Sequence, residues 1–401
     1  MSRVNNTSIV SYNTILSSSL GPYIPSVLIN LISGYDHRVE GKSISLKGLK
    51  TKCKCMHVFA DGSIAAGSGN RMIIWDSHGI QKKLINILSN CEITSIASLT
   101  VTASRAGPGL NEKILIGTKN GHVYQHDPLT DERILVNGLK MWCEIRGVDK
   151  IDDSNMIIHG YHQFTIWNPY TNDNYAHETE RAMKNIIILS DNRVAHSAIN
   201  TIRIFNQSTN KYVLTLLNGH HNTCHINCID VLSDNRIVSG ADDSTIKIYS
   251  IDTVKDGLHR FIYNPDATLH GHDYSVTCLK VLPDDTIVSG SNDTTIKIWK
   301  KQHDGKYICE KTLSGHYSAV TCLQILADGR IVSGSEDGSI RIWDLARNDG
   351  LCDMVLDGHT NPIKYIYVLP DCSTNRSTNS SLTNGRFVSM AIDEKNLKLW
   401  Y

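Results

Sequence analysis

Apolar and polar residues alternate in short runs along most of this chain, and turn-forming residues separate the runs. The pattern is clearest in residues 271–299, GHDYSVTCLKVLPDDTIVSGSNDTTIKIW. Residues 315–343 repeat it as GHYSAVTCLQILADGRIVSGSEDGSIRIW. Residues 219–249, GHHNTCHINCIDVLSDNRIVSGADDSTIKIY, repeat it with two extra residues near the start. Each unit holds three alternating runs broken at pairs such as Asp284-Asp285, Asp328-Gly329 and Asp337-Gly338. That spacing predicts short antiparallel strands joined by hairpins. One such unit cannot bury both faces of its sheet, so neighbouring units must stack.

Weaker copies extend the array in both directions. Residues 358–400 run from Gly358-His359 to Trp400, with a polar insertion at 371–384 that reads as a disordered loop. Upstream, 53–76 has the spacing without Gly-His, and 114–127 closes on His126. Further units close at Trp167 and Phe205. The closing positions are then Trp75, His126, Trp167, Phe205, Tyr249, Trp299, Trp343 and Trp400, which predicts eight units. Seven remain if 128–167 or 168–205 is not a full unit. The chain stops at Tyr401, directly after the third strand of the last unit. Residues 43–49, SISLKGL, resemble the outer-strand sequences at 268–272 and 312–316 and can supply the missing fourth strand. Such a closure removes an exposed sheet edge.

The Gly-His openings and the closing Trp343-Asp344 resemble WD repeats, closely over 219–400 and more weakly over 43–205. The resemblance implies an all-β fold, an eight-bladed WD-repeat β-propeller (seven as the alternative) spanning 43–401 and closed by its N-terminal strand. Four positions recur: His220, Ser239, Asp243 and Tyr249; His272, Ser289, Asp293 and Trp299; His316, Ser333, Asp337 and Trp343; His359, Ser389, Asp393 and Trp400. A His–Ser–Asp trio suggests nucleophilic catalysis. An active site is unique, however, whereas this set occurs in unit after unit at matching offsets. The resemblance implies instead a buried hydrogen-bond relay within each blade, from Asp to His to Ser to the Trp indole. The first four units lack the full set: Ala66 replaces the Ser, Asn120 the Asp, and Asn200 stands at the Asp position of the fourth. Lower local stability, or specialised surfaces, is expected in that half.

Composition narrows the function. Lys plus Arg and Asp plus Glu number 40 each in 401 residues, and this zero net charge argues against a nucleic-acid binder. A hydrophobic content of 41% fits a chain with a substantial core. Eleven cysteines without framework spacing read as reduced thiols, which predicts a cytoplasmic or nuclear protein. Neither a signal peptide nor a membrane span of about 20 apolar residues is legible.

Several motifs invite chemistry. His220, His221, Cys224, His225 and Cys228 have zinc-ligand types, yet Cys228 shares its register with Cys278 and Cys322 in the first strand of other units. A small buried hydrophobe suits that position. Cys53-Lys54-Cys55 has no second pair, and Gly41-Lys42-Ser43 lacks the glycine a phosphate loop needs. No metal or cofactor is expected. Residues 1–20 read as disordered. Pro25 with Ile24, Val27, Leu28, Leu31, Ile32 and Tyr35 predicts a short helix. Residues 23–35 resemble the opening of an F-box.

The expected function is therefore a non-catalytic interaction scaffold, a monomeric ring that takes protein or peptide partners on its Gly-His loops. Candidate contacts are His221, Asp242, Tyr274, Asn292, Tyr317, Glu336 and Asn361, whose acidic and aromatic mix suggests a basic or polar partner segment. The alternatives are the substrate-recognition subunit of a cullin-type ubiquitin ligase, which rests on 23–35, and an enzyme on a propeller frame. No unique polar cluster supports the enzyme.

Overall fold

Alternating residues with turn residues at the breaks leave the chain one compact solution, a four-stranded meander per unit. The computed structural model describes residues 42–87, 91–101, 111–179, 182–216, 220, 224–251, 260–262, 264–347, 350–370 and 385–401. The expected helix and F-box-like segment at 23–35, the disorder expected at 1–20, the loop at 371–384 and His221 all lie outside them.

The strands form eight sheets, arranged as the blades of a ring. Blade 1 runs from inner strand Cys55–Val58 to outer strand Gln81–Asn86, and blade 2 from Ile93–Val101 to Arg133–Lys140. Blade 3 runs from Gly147–Lys150 to Asn174–Glu178, and blade 4 from Met183–Ile188 to Lys211–Leu216. Blade 5 spans Ile226–Val231 to Ala267–Leu269, blade 6 Val276–Val281 to Tyr307–Leu313, and blade 7 Val320–Ile325 to Met354–Leu356. Blade 8 begins with Ile363–Val368 and Phe387–Ala391 and ends on Leu397–Trp400.

The eight closing residues are equivalent by register, since each pairs from its third strand with an apolar residue of the second strand. Trp75 faces Ile64, His126 faces Ile114, Trp167 faces Met156, and Phe205 faces Val194. Tyr249, Trp299, Trp343 and Trp400 face Ile237, Ile287, Ile331 and Phe387. The chain closes as the sequence predicts: Ser43–Leu46 pairs antiparallel with Leu397–Trp400, from Ser43 opposite Trp400 to Leu46 opposite Leu397. One feature was not legible in the sequence. Arg260–Ile262, from the insertion inside blade 5, adds as a fifth, parallel strand on the outer edge of blade 4.

The core lies in layers between neighbouring blades. Leu46, Met56, Ile64, Trp75, Val388 and Leu397 share the layer joining blade 8 to blade 1. A glycine in the second strand sets how closely blades approach. A Cβ on Gly240 would lie 2.5 Å from Val276 of the next blade, on Gly290 2.6 Å from Val320, and on Gly334 2.5 Å from Ile363. Gly67 and Gly117 stand the same way against Ile93 and Ile145. The cysteines that share a register, Cys55, Cys228, Cys278 and Cys322, pack their sulfurs against these same glycines. Burial pushes the Cys228 and Cys322 thiols up to about 12, so they stay protonated.

Candidate functional site

In blades 5 to 8 the inner strand starts from the loop that carries Gly-His, and in every blade the turn between second and third strands returns to the side from which the inner strand starts. This side is called the Gly-His face below. Beneath it, blade 6 shows the relay in full. His272 Nδ1 lies 2.7 Å from the Asp293 carboxylate and Nε2 2.8 Å from Ser289 Oγ. The Trp299 indole N–H donates to the same Oγ at 2.8 Å. In blade 7 His316 lies 3.3 Å from Asp337 and 2.7 Å from Ser333, which accepts from Trp343 at 2.8 Å. In blade 5 His220 lies 2.9 Å from Asp243 and 2.7 Å from Ser239, and the Tyr249 hydroxyl bonds Ser239.

Burial opposes ionisation of Asp243, Asp293 and Asp337. Hydrogen bonds from the His and from a neighbouring hydroxyl outweigh it and hold all three carboxyls well below the ordinary range. An ionised carboxylate can only accept, so the His donates from Nδ1 and its Nε2 accepts the Ser O–H. Burial lowers the His316 and His359 pKa, which keeps those rings neutral and suits this tautomer. The neighbouring hydroxyls are a member that sequence reasoning missed. Thr245, Thr295 and Ser339 bond Asp243, Asp293 and Asp337 at 2.7, 2.7 and 2.6 Å. The available signal was a Ser or Thr two residues after each Asp.

Blade 8 requires a correction. His359 Nε2 meets Ser389 at 2.7 Å and the Trp400 indole donates to Ser389 at 2.7 Å, but Asp393 is not the acid. Glu394 holds His359 Nδ1 at 2.6 Å and accepts from the Thr360 backbone N–H at 2.8 Å. The turn is one residue longer here and puts Asp393 in the left-handed region at φ 62°, facing solvent and paired with Lys52 at 2.8 Å. The longer Glu side chain spans the added distance.

Blades 1 to 4 fill the Ser register with Ala66, Ile116, Ile158 and His196, opposite Ile73, Tyr124, Thr165 and Arg203. Burial drives His196 down to about 3, and its Nε2 meets the Tyr212 hydroxyl at 3.0 Å.

The inner strands of blades 2, 5, 6, 7 and 8 break register just after their first residue, at Thr94, Asn227, Thr277, Thr321 and Lys364. A bulge re-aims the side chain it carries. Asn227 thereby donates to the Val276 carbonyl at 3.1 Å and Thr321 to the Ile363 carbonyl at 2.6 Å, and Thr277 bonds the Val320 carbonyl. Each bond joins one blade to the next around the rim of the central channel. The channel holds a cavity of about 600 Å³ whose walls include Lys54, Arg146, Asp149, Lys184, Asp230 and Lys280.

Of the candidate contacts, Tyr274 and Tyr317 stand out from the Gly-His face at 65% and 67% exposure. Their loops are fixed from below: the Asp273 and Tyr317 N–H groups donate to Asp293 and Asp337 at 3.1 and 2.8 Å. Asn292 and Glu336 donate their backbone N–H groups to the Ser275 and Ala319 carbonyls, and the Asn361 side chain bonds the Ile392 carbonyl. Asp242 is exposed but hydrogen-bonded within the face, accepting from Asn227 and Ser275 at 2.7 Å each and from the His225 N–H at 3.2 Å. Glu336 accepts from Ser318 at 3.2 Å. Both carboxylates belong to exposed residues.

A ring of eight blades, the relay recurring in four of them and the first strand of the chain completing the last, defines a WD-repeat β-propeller. Residues 210–250, 263–300 and 307–344 match the family model described as WD domain, G-beta repeat. Each match runs from an outer strand to the closing strand of the following blade, so the sequence repeat is offset from the blade by one strand. No curated protein matches the chain. Propellers of this family serve in general as protein-interaction scaffolds and are generally not enzymes. Among the described residues, no helix is long and apolar enough to cross a membrane.

Proposed function

We propose that this protein is a non-catalytic scaffold whose Gly-His face receives a protein partner, as a monomeric ring. The observation that carries the reading is the pairing of exposed Tyr274 and Tyr317 with loops whose backbones are tied to buried carboxylates. Aromatic side chains held on a rigid frame offer contact area at low entropic cost. Replacing Tyr274, Asn292, Tyr317 and Glu336 together by Ala should remove the partners recovered by affinity purification of the full chain. An unchanged partner set excludes this face. The ubiquitin-ligase reading rests on residues 23–35 alone. Deleting residues 1–40 separates the two, because a scaffold keeps its partners and a ligase subunit loses a co-purifying cullin complex.

A further inference from the structure

On that reading of the Gly-His face, we infer that its anchor lies on blade 3 and the channel mouth, and that the occupant is an extended acidic peptide carrying an aromatic or aliphatic residue. Two observations converge. The first is a pair of stacks on blade 3. Trp142, 60% exposed in the loop before the inner strand, stacks on His162 at 5.9 Å and 14°. Tyr161, 44% exposed in the turn between second and third strands, carries the Arg146 guanidinium 4.3 Å over its ring. Trp, Tyr and Arg are the side chains enriched where interfaces concentrate their energy. Here they are held flat by one another and project from a blade that lacks the relay.

The second observation is charge. The inner strands of blades 1, 3, 4 and 8 bring exposed Lys54, Arg146, Lys184 and Lys364 to the mouth. Lys54 pairs with Glu92 at 3.7 Å. Among the described residues, Arg146, Lys184 and Lys364 have no carboxylate partner. Arg146 gives one N–H to the Met183 carbonyl at 3.3 Å, Lys184 one to Asn227 at 2.5 Å, and Lys364 lies over Tyr365 at 5.0 Å. Each keeps further donors free. Asp149 lies three residues beyond Arg146 on blade 3 and Asp230 on the inner strand of blade 5, and they are engaged by His159 and by the Val231 and Val281 N–H groups. A cationic mouth concentrates anions. An acidic segment can enter it while a neighbouring apolar side chain lies on Trp142. A polyanion such as RNA needs a broader basic surface than these few cations provide on a chain of zero net charge, so the peptide is the better fit.

The test selects displayed random heptapeptides against the full-length protein and measures the enriched ones by fluorescence anisotropy. Asp/Glu-rich sequences with one Trp, Phe or Leu should emerge. Their affinity should fall about tenfold or more in Arg146→Glu with Lys184→Glu, fall severalfold in Trp142→Ala, and weaken with salt. The thermal melt of each variant is checked against the parent, and Lys82→Glu on the outer strand of blade 1 serves as the charge control and should bind normally. Enrichment of basic or neutral peptides overturns the inference, as does equal binding by the variants or tighter binding of single-stranded oligo(U) RNA. Selected peptides that respond to the Tyr274, Asn292, Tyr317 and Glu336 substitutions but not to these would sink the blade 3 anchor and leave the wider face reading intact. Peptides that respond to neither set sink both.

Discussion

Within the relay Ser333 is the atom-level hub, because its hydroxyl donates to His316 Nε2 and accepts from the Trp343 indole. Ser333→Ala leaves two buried nitrogens unpartnered, each worth about 1–3 kcal/mol. The variant should lose about 2–4 kcal/mol in urea unfolding, and a loss below about 1 kcal/mol would mean water replaces the hydroxyl. In blade 4 the same register holds His196, and here the consequence is acid sensitivity. Burial keeps its folded pKa near 3 while the unfolded ring titrates near 6.5. The folded pKa is depressed, so its contribution is complete above about pH 6.5 and is lost as pH falls toward 3. By pH 5 the loss from this group is about 2 kcal/mol relative to pH 7.5. His196→Gln should therefore lose less stability between pH 7.5 and 5.0 than the parent; an identical decline would show that His196 does not titrate on unfolding. His316 and His359 shift in the same direction, so a residual acid loss in the variant is expected.

At the scale of the element, what holds one blade against the next is a glycine facing a branched side chain. Gly290→Ala would put a Cβ 2.6 Å from Val320 and 2.7 Å from the Cys278 sulfur. Overpacking of that kind costs about 1–3 kcal/mol. The double variant with Val320→Ala should cost less than the two single changes added together, as measured by a double-mutant cycle, because the shortened neighbour makes room. Strict additivity would show that the seam relaxes on its own. The seam also marks where sequence reading stops. The strands, the closing positions and the relay of blades 5 to 7 were legible because they depend on alternation and fixed offsets within one unit. Gly290 sat in plain view inside Ser289-Gly290-Ser291, but its partner lies in another blade. Glu394 was missed because a turn one residue longer shifts the offset. Trp142 and His162 were missed because stacking unites a loop and a turn that no periodicity links. Arg260–Ile262 pairs in parallel with a strand of the preceding blade, and no hairpin signal announces such a pairing.

Across the whole molecule, stability depends on the ring being closed, and the closure consists of one short strand. Leu46 is fully buried between blades 8 and 1, while Ile44, on the same strand, is 43% exposed. Two residues apart, they share one face of the strand, but Leu46 reaches into the apolar layer while Ile44 lies at its exposed end. The two positions thus share backbone pairing with Leu397–Trp400 and differ in what they bury. Leu46→Asp forfeits about 2–3 kcal/mol of burial and adds an unpaired buried charge. It should detach Ser43–Leu46 and leave Leu397–Trp400 as an open edge beside an uncovered apolar layer. An open edge of that kind recruits other chains. The expected result is a lower melting temperature together with concentration-dependent oligomers in size-exclusion chromatography. Ile44→Asp, at the exposed end, should leave both nearly unchanged. If the two substitutions behave alike, backbone pairing rather than the Leu46 side chain latches the ring; if neither has an effect, the ring holds without its N-terminal strand. Because the blades stack as a circle, a breach at this seam should weaken blades 1 and 8 first, and blades 4 and 5, opposite it, should be the last to yield.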